Sequence, residues 1–180
     1  DDVRSVIKEI VEGKRIDPKD APIRQVQYEI SLAKNSGLSP DAYSQSAESH
    51  FQGIVAEIYP DYEKKMRANN ALDFDDILLK TRDILHISTV LDHFQDIFQY
   101  FCVDEYQDTN SIQYEIIQLL AKKSKNLCVV GDDWQGIYSW RGANIANILN
   151  FKHDFPAAEV VKLEQNYRSS STIINAANVV

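Results

Sequence analysis

The sequence predicts an α/β fold, in which a parallel sheet with crossover helices follows an all-helical subdomain. Two observations predict it. Residues 1 to about 95 place apolar side chains at helical spacing and contain no convincing strand. From about residue 97, three short apolar runs alternate with helical patterns, which is typical of parallel sheets. Because the runs are almost continuously apolar, we expect a sheet that is buried on both faces.

The helical half is divided by prolines and by residues that cap helices. Short polar side chains before an apolar-periodic segment indicate helix starts, and prolines indicate starts or interruptions. The boundaries predicted in chain order are a break at Asp17-Pro18, a cap at Asp20 with Pro22 in the first turn, a start at Ser39-Pro40, a kink or break at Pro60 and a cap at Asp73.

The second half contains three predicted strands, at 98–103, 126–130 and 159–163, with intervening helices capped by Ser111 and Asn144. Each strand ends in polar or acidic residues. Ligands of open parallel sheets bind beyond the carboxyl ends of the strands. We therefore expect the three polar clusters to gather on one edge and to form the functional site.

Composition sets limits on the function. The 180 residues include 19 Lys and Arg against 27 Asp and Glu, a formal net charge of −8, and 44% are hydrophobic. This composition excludes a disordered tail. It also argues against a protein that holds nucleic acid mainly through a broad basic surface. A nucleotide site remains compatible with it, since a metal ion can sit between carboxylates and phosphates.

The cysteines and the apolar runs bear on localisation. Cys102 and Cys128 lie inside apolar runs, so we expect buried free thiols and a reducing cytoplasm; a disulfide between neighbouring strands is the alternative. No run approaches the roughly 18 apolar residues of a membrane span, and the N-terminus does not resemble a signal peptide. The chain lacks an initiator Met and ends in an apolar run, so we expect a piece of a longer protein.

The first polar cluster begins with Asp104 and Glu105, directly after a predicted strand. Adjacent residues at a strand end point to different sides, so one carboxylate can hold a metal ion through water while the other orients an attacking water. Phosphoryl transfer needs this arrangement, because its catalysis consists of positioning and charge neutralisation. The alternative is that Asp104 and Asp108 only cap the turn into the following helix.

The second cluster follows the second predicted strand. Gly131 permits a sharp turn there, and Gln135 can donate a hydrogen bond to a phosphate oxygen. Tyr138 and Trp140, followed directly by Arg141, suit stacking on unpaired bases of any sequence. The alternative is that both aromatic residues belong to the core.

The third cluster follows the third predicted strand. The guanidinium of Arg168 can reach charge that develops on a transferring phosphoryl group. The neighbouring Tyr167 can stack on a base. The serines at 169–171 are predicted to cap the final helix.

The three clusters resemble motifs II, III and IV of the UvrD/Rep family of superfamily 1 DNA helicases. Residues 104–108 read Asp-Glu-Tyr-Gln-Asp, similar to the family's Asp-Glu-aromatic-Gln-Asp. Residues 131–143 are similar to Gly-Asp-Asp-Asp-Gln-Ser-Ile-Tyr-x-Trp-Arg-Gly-Ala, except that Trp134 replaces an acid and Gly136 replaces a serine. Residues 163–169 match Leu-Glu-x-Asn-Tyr-Arg-Ser.

The resemblance implies a role for five residues at a nucleotide site that uses ATP and Mg²⁺. Asp104 would bind Mg²⁺, and Glu105 would be the catalytic base for the water that attacks ATP. Gln135 would contact the γ-phosphate, and Arg168 would contact it as an arginine finger. Tyr167 would stack on the adenine.

The resemblance also implies a DNA side. Gln107 and Asp108 would link the nucleotide site to the DNA, and Tyr138, Trp140 and Arg141 would belong to the path of single-stranded DNA. The activity implied is an ATP-dependent DNA helicase that translocates 3′ to 5′ on single-stranded DNA and unwinds duplex DNA. Single-stranded and duplex DNA are then the partners, and DNA repair is a process typical of such enzymes.

The family layout implies a division of the chain. Residues 1–72 would be a helical insertion, 73–165 the second half of a RecA-like ATPase motor domain, and 166–180 the start of a second motor domain. None of the six glycines begins a Gly-x-x-x-x-Gly-Lys-Ser/Thr loop, the loop that cradles phosphates through backbone N–H groups and a Lys. We therefore expect this piece alone neither to bind ATP tightly nor to hydrolyse it.

Two other classes of function compete with this interpretation. One is a metal-dependent nuclease that uses Asp104, Glu105 and Asp108, or a helicase whose nuclease domain lies elsewhere in the protein. The other is a non-catalytic DNA-binding module. The nuclease leaves Gln135 and Arg168 unexplained, and the presence of Glu105 together with these two residues argues against an inactive relic.

Overall fold

A computed structural model describes residues 2–177 and 179, apart from the side chain of Arg141. The chain forms two compact units, Asp1–Leu149 and Asn150–Val180. The first unit contains α1 (Asp2–Lys14), α2 (Ile23–Asn35), α3 (Pro40–Ser46), α4 (His50–Ala68), α5 (Phe74–Leu85), α6 (Ser88–Ile97), β1 (Phe101–Val103), α7 (Ser111–Ala121), β2 (Leu127–Val129) and α8 (Ala146–Leu149). The second contains α9 (Phe151–Asp154) and α10 (Ser171–Ala177). Three short 3₁₀ turns lie at Tyr106–Asp108, Asp133–Gln135 and Ser139–Arg141.

Helices α1 to α4 pack around one hydrophobic core, as the helical periodicity predicts. Each helix turns its apolar stripe inward, which removes that surface from water. The core includes Ile7, Val11, Val26, Ile30, Tyr43, Val55, Ile58 and Tyr62. The all-helical character of this half is therefore confirmed.

Two predicted helix starts are confirmed, and one is wrong. Ser39 accepts a hydrogen bond from Ala42 N (3.2 Å), and Asp73 forms a capping box with Asp76. Asp20 does not cap α2. Its backbone N–H donates to Asp17 O (2.9 Å) in a separate turn, so the helix begins after Pro22 without a side-chain cap.

Of the two outcomes predicted at Pro60, a kink or a break, the break is wrong, because α4 runs as one helix from His50 to Ala68. Pro60 removes one backbone hydrogen bond. Buried side chains on both sides of it hold the helix against the core, namely Ile58, Tyr59 and Tyr62.

The sheet in the described part of the chain has two parallel strands, with α7 as the crossover. Its register pairs Phe101 with Leu127 and Val103 with Val129. The predicted third strand at 159–163 is wrong, since this segment has no regular secondary structure and its residues are exposed. A strand is stable only when a neighbour satisfies its backbone groups, and none of the described residues pairs with this segment.

The prediction that the sheet is buried on both faces is wrong as well. Cys102 and Cys128 face each other across the strands and are exposed, while the residues beside them are half-buried. Both cysteines are free thiols, as predicted, but they are not buried. Successive side chains of a strand point to opposite faces, and the cysteines occupy the open face. Among the described residues, every helix is too short or too polar to cross a bilayer.

Candidate functional site

The ends of β1 and β2 bring the first two polar clusters to one edge, as predicted. Val130 N donates to Val103 O (2.8 Å), and Tyr106 N donates back to Val130 O (3.0 Å). These bonds extend the strand pairing beyond the strands themselves. The residues that follow β1 therefore lie beside those that follow β2.

Asp104 and Glu105 are both exposed and have different hydrogen-bond partners. Asp104 Oδ1 accepts from Glu105 N (2.9 Å), while Glu105 Oε2 accepts from Gln107 Nε2 (2.8 Å). Glu105 has φ 51° and ψ 43°, the left-handed conformation. For a residue other than glycine this conformation costs roughly 1–3 kcal/mol, and such strain is concentrated at functional sites.

Gln107 is the link between the two clusters. Its side chain is 1% exposed; Nε2 donates to Glu105, and Oε1 accepts from Asp132 N (3.1 Å). The close approach of the Gln107 side chain to the end of β2 requires a glycine at 131. A Cβ there would lie 2.6 Å from Gln107 Oε1 and 2.8 Å from Ile148 Cδ1.

The chain of hydrogen bonds continues to Gln135, whose Nε2 donates to Asp132 Oδ2 (2.8 Å). The other oxygen of Asp132 accepts from Trp134 N (3.0 Å) and fixes the turn. Gln135 is exposed at this edge, and Trp134, one of the two residues that depart from the helicase motif, is 91% exposed. Three consecutive hydrogen bonds thus connect Glu105 with Gln135.

Asp108 and Thr109 connect the first cluster to the end of the second. Thr109 O accepts from Asn144 N (2.9 Å) and from Asn147 Nδ2 (3.1 Å). Asp108 Oδ1 is buried without a hydrogen-bond partner among the described residues.

The predicted cap at Ser111 is wrong by one residue, because the capping box of α7 belongs to Asn110.

Tyr138 and Trp140 are not core residues. They are 38% and 54% exposed, and their ring centroids are 6.2 Å apart at an interplanar angle of 52°. Both line a cleft of about 950 Å³ that α1, α2 and α5 also border. The polar residues of this cleft include Arg4, Arg24, Tyr28, Asp75 and Asp108. The side chain of Arg141, the third residue predicted to contact DNA, lies outside the described part of the structure.

Tyr167 and Arg168 belong to the second unit. Tyr167 is 91% exposed, and Arg168 is exposed as well. Asn166 Oδ1 accepts from the backbone N–H groups of Arg168 and Ser169 (both 2.9 Å), which folds this segment into a turn.

Sequence reasoning missed a buried lysine. Lys34, near the end of α2, is 1% exposed, and its Nζ lies 2.8 Å from Asp73 Oδ2, 2.6 Å from Asp76 Oδ1 and 2.7 Å from Glu63 Oε1. Burial alone would lower the pKa of Lys34, but its hydrogen bonds to the carboxylates outweigh burial and raise that pKa. Burial likewise acts to raise the pKa of Asp73, yet the bonds from Lys34 and Tyr62 lower it. Both groups are therefore held in their charged forms.

The neighbouring Asn35 was missed as well. It is 8% exposed and contacts Asp75 of α5 and Asn110 of α7. The only sequence signal was a pair of polar residues, Lys34 and Asn35, at the end of an otherwise apolar helix stripe. Such a pair is also typical of a solvated helix end, so the pattern alone could not distinguish a buried polar pair from a solvated one.

The donor chemistry fits a magnesium ion at Asp104. Mg²⁺ is bound by one or two carboxylates together with phosphate oxygens and waters, and Asp104 presents an exposed carboxylate at the strand end. Within residues 2–177 and 179, no three His, Cys, Asp or Glu side chains are close enough to hold a metal by themselves. An ion here would therefore complete its coordination with phosphate and water.

Comparison with known proteins identifies relatives along the whole chain. A family model described as UvrD/REP helicase N-terminal domain matches residues 1–156. The ATP-dependent DNA helicase PcrA of Bacillus subtilis is 47% identical over 180 residues, covering 99% of this chain. PcrA of Staphylococcus aureus is 48% identical over 181 residues, and that of Staphylococcus epidermidis 46% over 180, each again covering 99% of this chain.

The matched region is a small part of these relatives. It makes up 24% of the Bacillus subtilis protein and 25% of each Staphylococcus protein. The chain thus spans about a quarter of their length.

Proposed function

The chain belongs to the UvrD/REP helicase family, and on that premise we propose that it is part of an ATP-dependent DNA helicase. This enzyme couples hydrolysis of Mg-ATP to 3′-to-5′ translocation on single-stranded DNA and to unwinding of duplex DNA. Its relatives are named as ATP-dependent DNA helicases. The longer protein that contains this chain is called the parent helicase below.

One observation carries the proposal: hydrogen bonds run from Glu105 through Gln107 and Asp132 to Gln135. Glu105 is the residue expected to activate water, and Gln135 is the residue expected to contact the γ-phosphate. A structural cap or a DNA-binding scaffold has no need to join these two side chains through a buried glutamine. A phosphate-sensing hydrolysis site needs such a connection, because loss of the γ-phosphate at Gln135 must change the position of the catalytic base Glu105.

In this site Glu105 accepts a proton from water while the water oxygen bonds to the γ-phosphorus. The bond from that phosphorus to the β,γ-bridging oxygen breaks, and ADP leaves with its electron pair. Asp104 would hold Mg²⁺, which when bound would neutralise charge on the phosphate oxygens. Gln135 donates to a γ-phosphate oxygen. The role that the family resemblance implies for Arg168 is to contact the same group as an arginine finger.

Tyr167 stacks on the adenine in this account. Its exposed ring offers a face for such stacking. The domain boundaries proposed from the family layout, after residues 72 and 165, place Tyr167 and Arg168 at the start of a second motor domain.

Tyr138 and Trp140 form the DNA side. Exposed aromatic rings stack on bases irrespective of sequence, at about 1–3 kcal/mol per base. The segment that carries them returns to the first cluster through the bond from Asn144 N to Thr109 O. Gln107 and Asp108 thus stand between the stacking rings and the base Glu105, which is the coupling role proposed for them.

The test is the ATPase activity of the parent helicase with and without single-stranded DNA. Glu105→Gln removes the proton acceptor and keeps the shape of the side chain. We expect the DNA-stimulated rate to fall by about 10²–10⁴-fold, the usual contribution of general base catalysis. The matched control is Glu115→Gln on α7, whose carboxylate contacts His86 (2.8 Å) at the surface; its rate should stay within twofold of the wild type.

An undiminished rate in Glu105→Gln would remove Glu105 from its role. We also propose that the 180-residue chain alone does not hydrolyse ATP, because its sequence contains no phosphate-cradling Gly-Lys-Ser/Thr loop. DNA-stimulated hydrolysis by this chain in isolation would contradict that part of the account.

A further inference from the structure

We infer that Asn35 is a positioning residue through which the helical subdomain holds the motif II segment (104–110) and the motif III segment (131–143) in place. Asn35 thereby sets how strongly DNA stimulates ATP hydrolysis. The inference rests on the proposed function for its second half. The first half, that Asn35 fixes the two segments, stands on contacts alone.

Asn35 is the last residue of α2 and uses its side chain for long-range contacts. Nδ2 donates to Asp75 Oδ1 (2.8 Å), 40 residues away, and to Ser31 O (2.8 Å) within its own helix. Oδ1 accepts from Asn110 Nδ2, 75 residues away. One amide group therefore joins α2, α5 and the start of α7.

Asn110 is the point at which the motif II segment enters α7. Its Oδ1 accepts from Gln113 N (2.8 Å), and its own N–H donates to Gln113 Oε1 (3.0 Å). With its capping bonds satisfied in this way, Asn110 has a defined orientation, and its Nδ2 points to Asn35. The bond to Asn35 thus anchors the capped end of the segment that begins with Glu105.

Asn35 also lies beside Gly142, at the end of the motif III segment. Gly142 has φ +84°, and a Cβ built on it would lie 3.3 Å from Asn35 Cβ. Gly142 N donates to Ser139 O (2.9 Å), which closes the turn that carries Trp140. Asn35 therefore lies close to the turn that carries Trp140, where it leaves little room for a side chain at 142, while it bonds to Asn110 at the end of motif II.

The end of α2 is itself rigidly held, so Asn35 can act as a fixed point. Lys34, its neighbour, forms three buried ion pairs with α4 and α5. A buried pair of this kind is costly to break. The held Asn35 therefore keeps the turn that carries Trp140 and the capped end at Asn110 at a fixed spacing, which couples DNA contact at that turn to the segment of Glu105.

The test uses an isosteric substitution and its repair. Asn35→Asp keeps the acceptor for Asn110 but replaces the donor to Asp75 with a carboxylate, so that two carboxylates face each other. In the parent helicase we expect the ratio of DNA-stimulated to DNA-free ATPase rates to fall about tenfold, while KM for ATP changes less than twofold. The double variant Asn35→Asp, Asp75→Asn restores a donor and an acceptor between the two positions, and it should recover most of the ratio.

The matched control is Asn69→Asp, a change at the exposed C-cap of α4 in the same subdomain, which should leave the ratio unaltered. The proposal is overturned if Asn35→Asp leaves the ratio unaltered, if Asn69→Asp lowers it equally, or if the double variant recovers nothing. A general loss of folding would lower both rates together and leave their ratio unaltered, so it also counts against the proposal.

A second measurement separates this inference from the proposed function. Amide hydrogen exchange in the parent helicase should be faster in Asn35→Asp at residues 105–113 and 142–147, and unaltered in Asn69→Asp. Unaltered exchange at both segments would refute the positioning role. If exchange at both segments is faster in Asn35→Asp, but the ATPase of the wild-type parent helicase does not respond to DNA, the positioning role is upheld and the proposed function is refuted.

Discussion

At the scale of single residues, the site depends on a buried glutamine, Gln107. Gln107 binds the side chain of Glu105 and the backbone of Asp132 at once, and it fits only because residue 131 has no side chain. The resemblance to the helicase motif predicted that Gln107 links the nucleotide site to the DNA side. The motif could not predict the hydrogen bonds that Gln107 makes to Glu105 and Asp132, because they depend on how closely the ends of two strands approach each other.

The close approach at Gly131 gives a prediction. In Gly131→Ala the new Cβ collides with Gln107 Oε1 and Ile148 Cδ1, and forced overpacking of this kind usually costs about 1–3 kcal/mol. We expect both the free energy of unfolding and the DNA-stimulated ATPase rate of the parent helicase to fall. The first is measured by urea denaturation of the 180-residue chain, and the second by steady-state kinetics.

Gly53→Ala is the control, because no atom lies within 4 Å of a Cβ there and Gly53 is inside α4. Alanine favours a helix interior over glycine by about 0.5–1 kcal/mol, so this variant should be slightly more stable. Equal stability of the two variants would show that Gly131 is not closely packed.

At the scale of elements, the end of α2 joins the helical subdomain to the rest of the first unit. Lys34 holds the start of α5 and the middle of α4, and its ammonium lies 5.0 Å from the ring centroid of Tyr62. The cap at Asp73 was predictable from sequence, because capping is a local signal. The partners of Lys34 are 29 to 42 residues away in sequence, and no local pattern indicates them.

Lys34→Met tests this junction. The substitution leaves three carboxylates near one another with no cation, and loss of one partner from a buried ion pair usually costs about 3–5 kcal/mol. For a chain of this length the midpoint of thermal unfolding should fall on the order of 10 °C, as followed by circular dichroism of the 180-residue chain.

Lys8→Met is the matched control, because its ion pair with Glu12 is exposed at the surface of α1. Exposed pairs contribute little, so its unfolding midpoint should stay close to that of the wild type. If Lys34→Met were equally stable, the buried cluster would not be what fixes α2 to α5.

At the scale of the whole molecule, the sequence predicted the order of helices and strands better than their exposure. The helical half, the crossover α7 and the meeting of two polar clusters at one edge were predicted, because periodicity and strand ends carry these signals. The predicted third strand and the predicted burial of both sheet faces were wrong, because both features depend on neighbours that periodicity does not specify. Segment 159–163 has the composition of a strand, yet no strand in the described part of the chain pairs with it.

The central claim is that this chain is part of a motor that uses ATP to move along DNA. Its most direct test is ATP-dependent strand displacement by the parent helicase, with a duplex that carries either a 3′ or a 5′ single-stranded tail. We expect rapid unwinding of the 3′-tailed duplex, little unwinding of the 5′-tailed one, and none by Glu105→Gln. Unwinding by Glu105→Gln at the wild-type rate, or no unwinding of either substrate by the wild type, would contradict it.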